Sequence, residues 1–245
     1  MLGRRRTLLL TGASRGIGHA AVKKFSAEGW RVLTVSRHPF DPRCPWEGGA
    51  DNHVQLDLQD ITSVQDIAKS LKDKTDGYLD ALINNAAISP KGEAGKRMDS
   101  LHTRYQDWLA VFNVNFFSIA LLAQALRSEL IAARGTVINI TSIAGSRVHP
   151  FAGSAYASSK AALVALTREL AHDFGNSGVR VNAVAPGEIE TSILSPGTDD
   201  IVKNEIPLKR LGQPHEVADL LFFLCSDQAA YITGSEIHIN GGQHV

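Results

Sequence analysis

Cysteine is scarce: Cys44 and Cys225 are the only two in 245 residues, far apart and outside any C-x-x-C spacing. That excludes a disulfide framework and a thiolate metal site. The nine histidines form no H-E-x-x-H or comparable ligand pair, so no metal site is expected. No apolar run approaches the roughly 20 continuous residues a membrane span needs, and the chain is not expected to cross a bilayer. Neither sign of charge is in excess, with 25 Lys+Arg against 25 Asp+Glu, which argues against wrapping a nucleic-acid backbone. Any basic site must be local. Between Met1 and Leu10 stand Arg4, Arg5, Arg6 and a few leucines, too short an apolar stretch for a secretory signal, so a cytoplasmic protein is expected. Repeats and low-complexity tracts are missing too, leaving a solenoid without support. What remains, 44% hydrophobic and 20% charged, is an ordinary globular composition for one large domain or two small ones.

Short β-type apolar runs alternate with longer helical patterns from end to end, the signature of a parallel sheet with helices on its faces. The strand candidates are Thr7–Leu10, Arg31–Ser36, His53–Asp57, Ala81–Asn84, Thr136–Ile140, Val179–Val184 and Glu236–Ile239. Helical patterns cover Ile17–Glu28, about Thr62–Lys74, Trp108–Ile131, Gly153–Phe174 and Pro214–Cys225, the last opening on a proline followed by Glu216. Arg37–Asn52, Ile88–Gln106 and Gly187–Gln213 are rich in Gly, Pro and charge and read as loops. With no internal boundary, the expectation is a single-domain α/β Rossmann fold: a doubly wound, seven-stranded parallel sheet flanked by helices.

Thr11-Gly12-Ala13-Ser14-Arg15-Gly16-Ile17-Gly18 directly follows the first strand and opens an amphipathic helix. A helix N-terminus offers free N–H groups and partial positive charge, and missing side chains let a pyrophosphate approach the backbone. By itself the spacing also suits a plain Gly-rich turn. Where many NAD sites carry a carboxylate for the ribose 2′-hydroxyl, the second strand ends in Ser36-Arg37. Arg37 and Arg15 can instead hold a 2′-phosphate by charge-assisted bonds, unless both are solvated surface arginines.

Tyr156 and Lys160 lie four apart early in a helix, one turn from each other on one face. An ammonium neighbour favours the phenolate, bringing a phenol of ordinary pKa about 10 toward neutral-pH proton transfer. Reaching about 7 takes roughly 4 kcal/mol, so burial or a cofactor charge must contribute. A lone Y-x-x-x-K is otherwise an incidental helix pair. Ser142 ends the fifth strand, where the carboxyl edge of a parallel sheet faces the ligand crevice, although a turn-stabilising serine reads alike. Asn115 shares a helix stripe with Val111, Ile119, Leu122 and Leu126; it is expected either to organise a water or the lysine, or to be a satisfied core amide.

Together these residues resemble the short-chain dehydrogenase/reductase family over nearly the whole chain, in particular members like the 3-oxoacyl-[acyl-carrier-protein] reductases. Thr11–Gly18 is similar to its T-G-x-x-x-G-x-G, Asp57 to its adenine-contacting Asp, and Asn84-Asn85-Ala86-Ala87 to its N-N-A-G. Asn115, Ser142, Tyr156 and Lys160 match its catalytic tetrad in order. Ala185-Pro186-Gly187 with Ile189 and Thr191 resembles its nicotinamide-side motif, and Ile232-Thr233-Gly234 with Gly241-Gly242 its C-terminal strand and tail.

The resemblance implies an NADP(H)-preferring oxidoreductase, NAD(H) remaining possible, that interconverts a small-molecule carbonyl and its alcohol. Tyr156 would be the acid/base, Lys160 would lower its pKa and bind the nicotinamide ribose, Ser142 would polarise the carbonyl, and Asn115 would support a water. Cofactor contacts are expected from Gly12, Ser14, Arg15, Gly16, Ile17, Gly18, Ser36, Arg37, Asp57, Leu58, Asn85, Ala86, Ala87, Tyr156, Lys160, Pro186, Gly187, Ile189 and Thr191. Ala87 departs from the family glycine, adding a methyl near the cofactor. The stretch Ile88–Gln106, with Lys91, Glu93, Lys96 and Arg97, is expected to border the substrate mouth. The end of the tyrosine helix, Ala171–Ser177, offers little fixed positive charge, which puts an acyl-carrier substrate in doubt. Specificity would reside around Arg147, His149 and Phe151, and in a lid over about 187–213 bearing Ile193, Leu194, Lys203, Lys209 and Arg210. Helices containing Leu121–Ala123 and Ala161–Val164 are apolar around much of their circumference, and the resemblance implies a homotetramer on them, a dimer being the second choice. Two rivals are an NAD(H)-linked alcohol dehydrogenase of the same fold and a dinucleotide-binding regulatory protein without turnover.

Overall fold

The computed structural model describes residues 4–42, 44, 48–191, 194–195 and 197–245. Its centre is a seven-stranded parallel sheet of order β3-β2-β1-β4-β5-β6-β7. The strands are β1 (Thr7–Thr11), β2 (Arg31–Ser36), β3 (His53–Gln55), β4 (Ala81–Asn84), β5 (Thr136–Ile140), β6 (Arg180–Pro186) and β7 (Glu236–Ile239). Central strands are buried on both faces, which is why β1 and β4 are near-continuous apolar runs. Period-2 alternation divides them between two cores. Leu8 and Leu10 pack on one face with Phe25 and Leu221, while Leu9 packs on the other with Leu82, Leu122 and Phe174.

Helices α1 (Gly16–Ala27) and α8 (Pro214–Leu224) cover the first face. Proline at the first turn and a reciprocal capping box between Gln213 and Glu216 fix the start of α8. The other face carries α2 (Ile61–Lys74), α4 (Ser118–Ala125), α5 (Arg127–Ala133) and α6 (Ser154–Gly175). The chain reverses its winding between β1 and β4, opening a crevice at the strands' carboxyl ends.

Three expectations are corrected. The helix expected over Trp108–Ile131 starts earlier and runs without interruption through α3 (Tyr105–Phe112), a π-helical turn at Asn113–Phe117 and α4, and only then gives way to α5. Leu126, at φ −96° and ψ 15°, separates α4 from α5. The loop expected over Gly187–Gln213 contains α7 (Thr198–Asn204), started by Gly197 in the left-handed region and by Asp199 and Asp200, whose charges suit a helix N-terminus. The third strand stops at Gln55, which leaves Asp57 in the following loop. Tyr105–Ala125 is long and apolar enough to cross a membrane by length and composition, although Gln106, Asp107, Asn113, Asn115 and Gln124 interrupt its apolar runs as expected. Here Val111, Ile119 and Leu122 are buried while Tyr105, Leu109 and Phe117 are exposed.

Candidate active site

The crevice is a cleft of about 550 Å³ running from the β1–α1 turn to the loops after β5 and β6. Gly12 stands at φ +73°, and a Cβ there would lie 2.8 Å from the Ala86 Cα. At Gly18 a Cβ would meet the Gly12 carbonyl at 2.1 Å, so α1 can press against the turn only without a side chain. Thr11 Oγ1 accepts from the amides of both Asn85 and Ala86 (3.1 Å each), and Asn85 Nδ2 donates to the Thr11 and Gly12 carbonyls (3.1 and 2.9 Å). The first turn and the segment after β4 therefore form one rigid cradle. No side chain caps α1 and no acid occupies its first turn, leaving its N-terminal amides for an anionic ligand.

At the far end of this cradle Arg15 and Arg37 are exposed, and among the described residues neither guanidinium has a protein partner. Ser36 is tied locally, its Oγ donating to the His38 carbonyl (2.9 Å), and Asp57 accepts from the Gln59 amide (3.0 Å). A glycine-bared helix start flanked by open arginines fits a phosphate-bearing dinucleotide. The expected contacts Ser14, Gly16, Ile17, Leu58, Pro186, Gly187, Ile189 and Thr191 also line the cleft. Gly18 and Asn115 do not; both act one layer behind it. Ala87 is exposed and outside the left-handed region, so its methyl is accommodated where the family carries glycine.

A buried polar chain fixes the tyrosine helix on the sheet. Asn84 Nδ2 donates to Asn139 Oδ1, Asn139 Nδ2 to Thr167 Oγ1 (2.9 Å each), and Thr167 Oγ1 to the Leu163 carbonyl (2.8 Å). This sets the register that carries Lys160 to the end of β5, where its Nζ donates to the Ile140 carbonyl (2.6 Å) and lies 5.6 Å from the Tyr156 ring centre. Ser142 Oγ accepts from the Ala144 amide (3.2 Å) and stands close enough to the Tyr156 hydroxyl to lower its pKa. Asn115 is fully buried in the π-helical turn. Its Nδ2 donates to the Ile88 carbonyl and to Ser159 Oγ (3.0 Å each), and its Oδ1 accepts from the Ile88 amide (2.9 Å). The amide thus fastens the segment after β4 to α6.

In the chain without cofactor the electrostatics run against a lowered tyrosine pKa. Burial disfavours the phenolate and pushes the Tyr156 pKa up; the Ser142 hydroxyl opposes this and the nearby Glu188 charge adds to it. Burial also pulls Lys160 down to about 7. In the chain by itself the lysine is therefore no strong permanent cation, and the tyrosine keeps its proton at neutral pH.

At the substrate end, Lys91, His149, Phe151 and Leu194 line the cleft as expected. Glu188 was missed; its only signal was its place directly after Pro186-Gly187. Arg147 turns away to Glu205 (2.9 Å) and the Gln243 carbonyl (3.0 Å). Lys209 donates to the Lys203 carbonyl and Arg210 pairs with Glu216, so none of them faces the cleft, and Ile193 lies outside the described residues.

A dinucleotide cradle at the switch point of a doubly wound sheet, beside a hydroxyl pair and a buried lysine, defines a nicotinamide-dinucleotide oxidoreductase. Residues 12–244 match the family profile described as Enoyl-(Acyl carrier protein) reductase. The chain is 56% identical to Protein FixR of Bradyrhizobium diazoefficiens, covering 99% of this chain and 88% of that one. It is 35% identical to the 3-oxoacyl-[acyl-carrier-protein] reductase FabG of Aquifex aeolicus, covering 96% and 95%. Among solved structures, a short-chain dehydrogenase/reductase family oxidoreductase from Brucella ovis, in complex with a partially ordered NAD, is 50% identical. The match covers 97% of this chain and 100% of that one, with a TM-score of 0.83. The chain belongs to the short-chain dehydrogenase/reductase family.

Proposed function

We propose that the protein is an NADP(H)-dependent reductase that converts a ketone or aldehyde to an alcohol, with Tyr156 as general acid. The observation that carries this reading is the hydroxyl pair Tyr156–Ser142, with Lys160 buried beside it, on the floor of the cradle. The bound nicotinamide supplies the hydride. The chain supplies the proton: burial holds Tyr156 protonated at neutral pH, and its hydroxyl donates to the substrate oxygen as negative charge develops there. Ser142, oriented by the Ala144 amide, hydrogen-bonds the same oxygen. Lys160, titrating at about 7, exchanges protons near neutrality and donates to the ribose hydroxyls.

The NADP(H) preference rests on Arg15 and Arg37, which stand open at the adenosine end with no carboxylate between them to repel a 2′-phosphate. The second reading is an NAD(H)-linked alcohol dehydrogenase, supported by the NAD bound in the Brucella ovis relative. Kinetics of carbonyl reduction with both reduced cofactors separates the two, and equal or better kcat/KM with NADH decides for the second. Tyr156→Phe keeps the shape and removes the proton, so turnover is expected to fall about 10²–10⁴-fold; near-full turnover in the folded variant removes Tyr156 as the acid.

The segment 187–213 is assigned as the substrate lid. We propose a homotetramer, a dimer being the second choice, on the helices that carry Leu121–Ala123 and Ala161–Val164, with the exposed Tyr105 (72%), Leu109 and Phe117 as further apolar surface. Light scattering that returns a monomer at micromolar concentration overturns this assembly.

A further inference from the structure

The substrate end of the cleft holds two opposite charges that are not paired with each other. Glu188 Oε1 accepts from His149 Nε2 at 2.6 Å, both side chains being almost wholly buried. His149 Nδ1 in turn accepts from the Phe151 amide (3.2 Å). A ring nitrogen that accepts from a backbone N–H carries no proton itself, so the imidazole hydrogen sits on Nε2, aimed at the Glu188 carboxylate. The Phe151 carbonyl accepts from Lys91 Nζ, which also lies 3.5 Å from Ser195 Oγ. One hydrogen-bonded chain, Lys91–Phe151–His149–Glu188, thus fixes an ammonium and a carboxylate on the same cleft. Glu188 is near enough to raise the Lys91 pKa, against the burial that lowers it, yet no salt bridge joins the two. Glu188 Oε2 has no protein hydrogen bond among the described residues.

Each charge is held from behind and left open in front. The nearly buried Glu188 carboxylate is costly unless compensated, Lys91 is an exposed ammonium on the same cleft, and a ligand bearing the opposite pair meets both at once. An uncharged acyl chain would meet neither charge and would leave the Glu188 carboxylate without a counter-charge from the ligand. Resting on the reductase reading above, we propose that the substrate is a small zwitterion of the amino-acid type: an oxo amino acid reduced to a hydroxy amino acid, its ammonium on Glu188 and its carboxylate on Lys91. The reaction balances as hydride from the reduced nicotinamide to the carbonyl carbon and a proton from Tyr156 to the oxygen.

The test runs the alcohol direction with NADP⁺ on threonine and serine stereoisomers, on 3-hydroxybutyrate (carboxylate only), on 1-amino-2-propanol (ammonium only) and on 2-butanol (neither). The best zwitterion is expected to exceed each singly charged analogue by about tenfold in kcat/KM, the size of one charge-assisted hydrogen bond. Glu188→Gln should reduce the zwitterion's advantage over 3-hydroxybutyrate about tenfold, and Lys91→Met its advantage over the amino alcohol, mainly through KM. Turnover of 2-butanol or 3-hydroxybutyrate with no advantage for any zwitterion overturns the substrate assignment and leaves the reductase reading standing. Were no compound turned over, calorimetry on the NADP⁺-loaded protein decides. Zwitterion binding lost in both variants supports the site and moves the failure to the reaction, whereas no zwitterion binding overturns the site.

Discussion

Replacing Lys160 by methionine is expected to abolish turnover and yet stabilise the fold at neutral pH. Lys160 is 1% exposed, and burial draws its pKa from 10.5 to about 7. The unfolded chain therefore holds a proton on this residue that the folded chain has half lost at pH 7. Between about 7 and 10.5 the unfolded state binds more protons, so stability rises with pH across that window; below it the folded state carries the full cost of a buried cation. At about 1.4 kcal/mol per tenfold change in proton affinity, the difference corresponds to roughly 4 kcal/mol at pH 7 and about 2 kcal/mol at pH 9. Methionine removes the cost but leaves the Ile140 carbonyl without its donor, a loss of about 2 kcal/mol. The variant should thus be more stable by about 2 kcal/mol at pH 7 and near parity at pH 9. Urea unfolding of both proteins at the two pH values, at one protein concentration and without cofactor, measures this. A stability difference that stays constant within about 0.5 kcal/mol from pH 7 to 9 would refute a depressed lysine.

Three further outcomes are expected. Arg15→Ala and Arg37→Ala should each weaken NADPH binding about tenfold and leave NADH affinity within about twofold; equal loss for both cofactors would show that neither guanidinium meets a 2′-phosphate. Gly18→Ala places a methyl against the Gly12 carbonyl, where backbone must move, so fluorescence titration should show NADPH affinity falling at least about tenfold. An unchanged affinity would mean that the cradle is not held by this contact. Thr167→Val leaves the Asn139 amide hydrogen buried without an acceptor and should cost about 1–3 kcal/mol in urea unfolding; a cost below about 0.5 kcal/mol would show that this polar chain does not fasten α6.

Much of the fold was legible because the relevant interactions are local or periodic. Apolar runs such as Leu8–Leu10 and Ala81–Asn84 can be satisfied only as strands buried on both faces, and their alternation with helical patterns implies parallel crossovers. Gly12, Gly16 and Gly18 announced a turn that tolerates no Cβ, and Tyr156 and Lys160 sat one helical turn apart whatever lay around them. The π-helical turn at Asn115 gave no local signal, because that buried amide takes its partners from Ile88 and Ser159.

By itself, then, the sequence determined the sheet, the cradle and the identity of the Tyr156, Lys160 and Ser142 cluster, since spacing along a strand or helix settles which side chains share a face. Protonation and charge placement were decided only by tertiary structure. Burial, a property of everything packed around a residue, raised Tyr156 and lowered Lys160 where a simple ion-pair argument had the lysine depress the tyrosine. Contacts between distant loops likewise turned Arg147 toward Glu205 and brought His149 to Glu188, placing a carboxylate instead of a guanidinium at the substrate end.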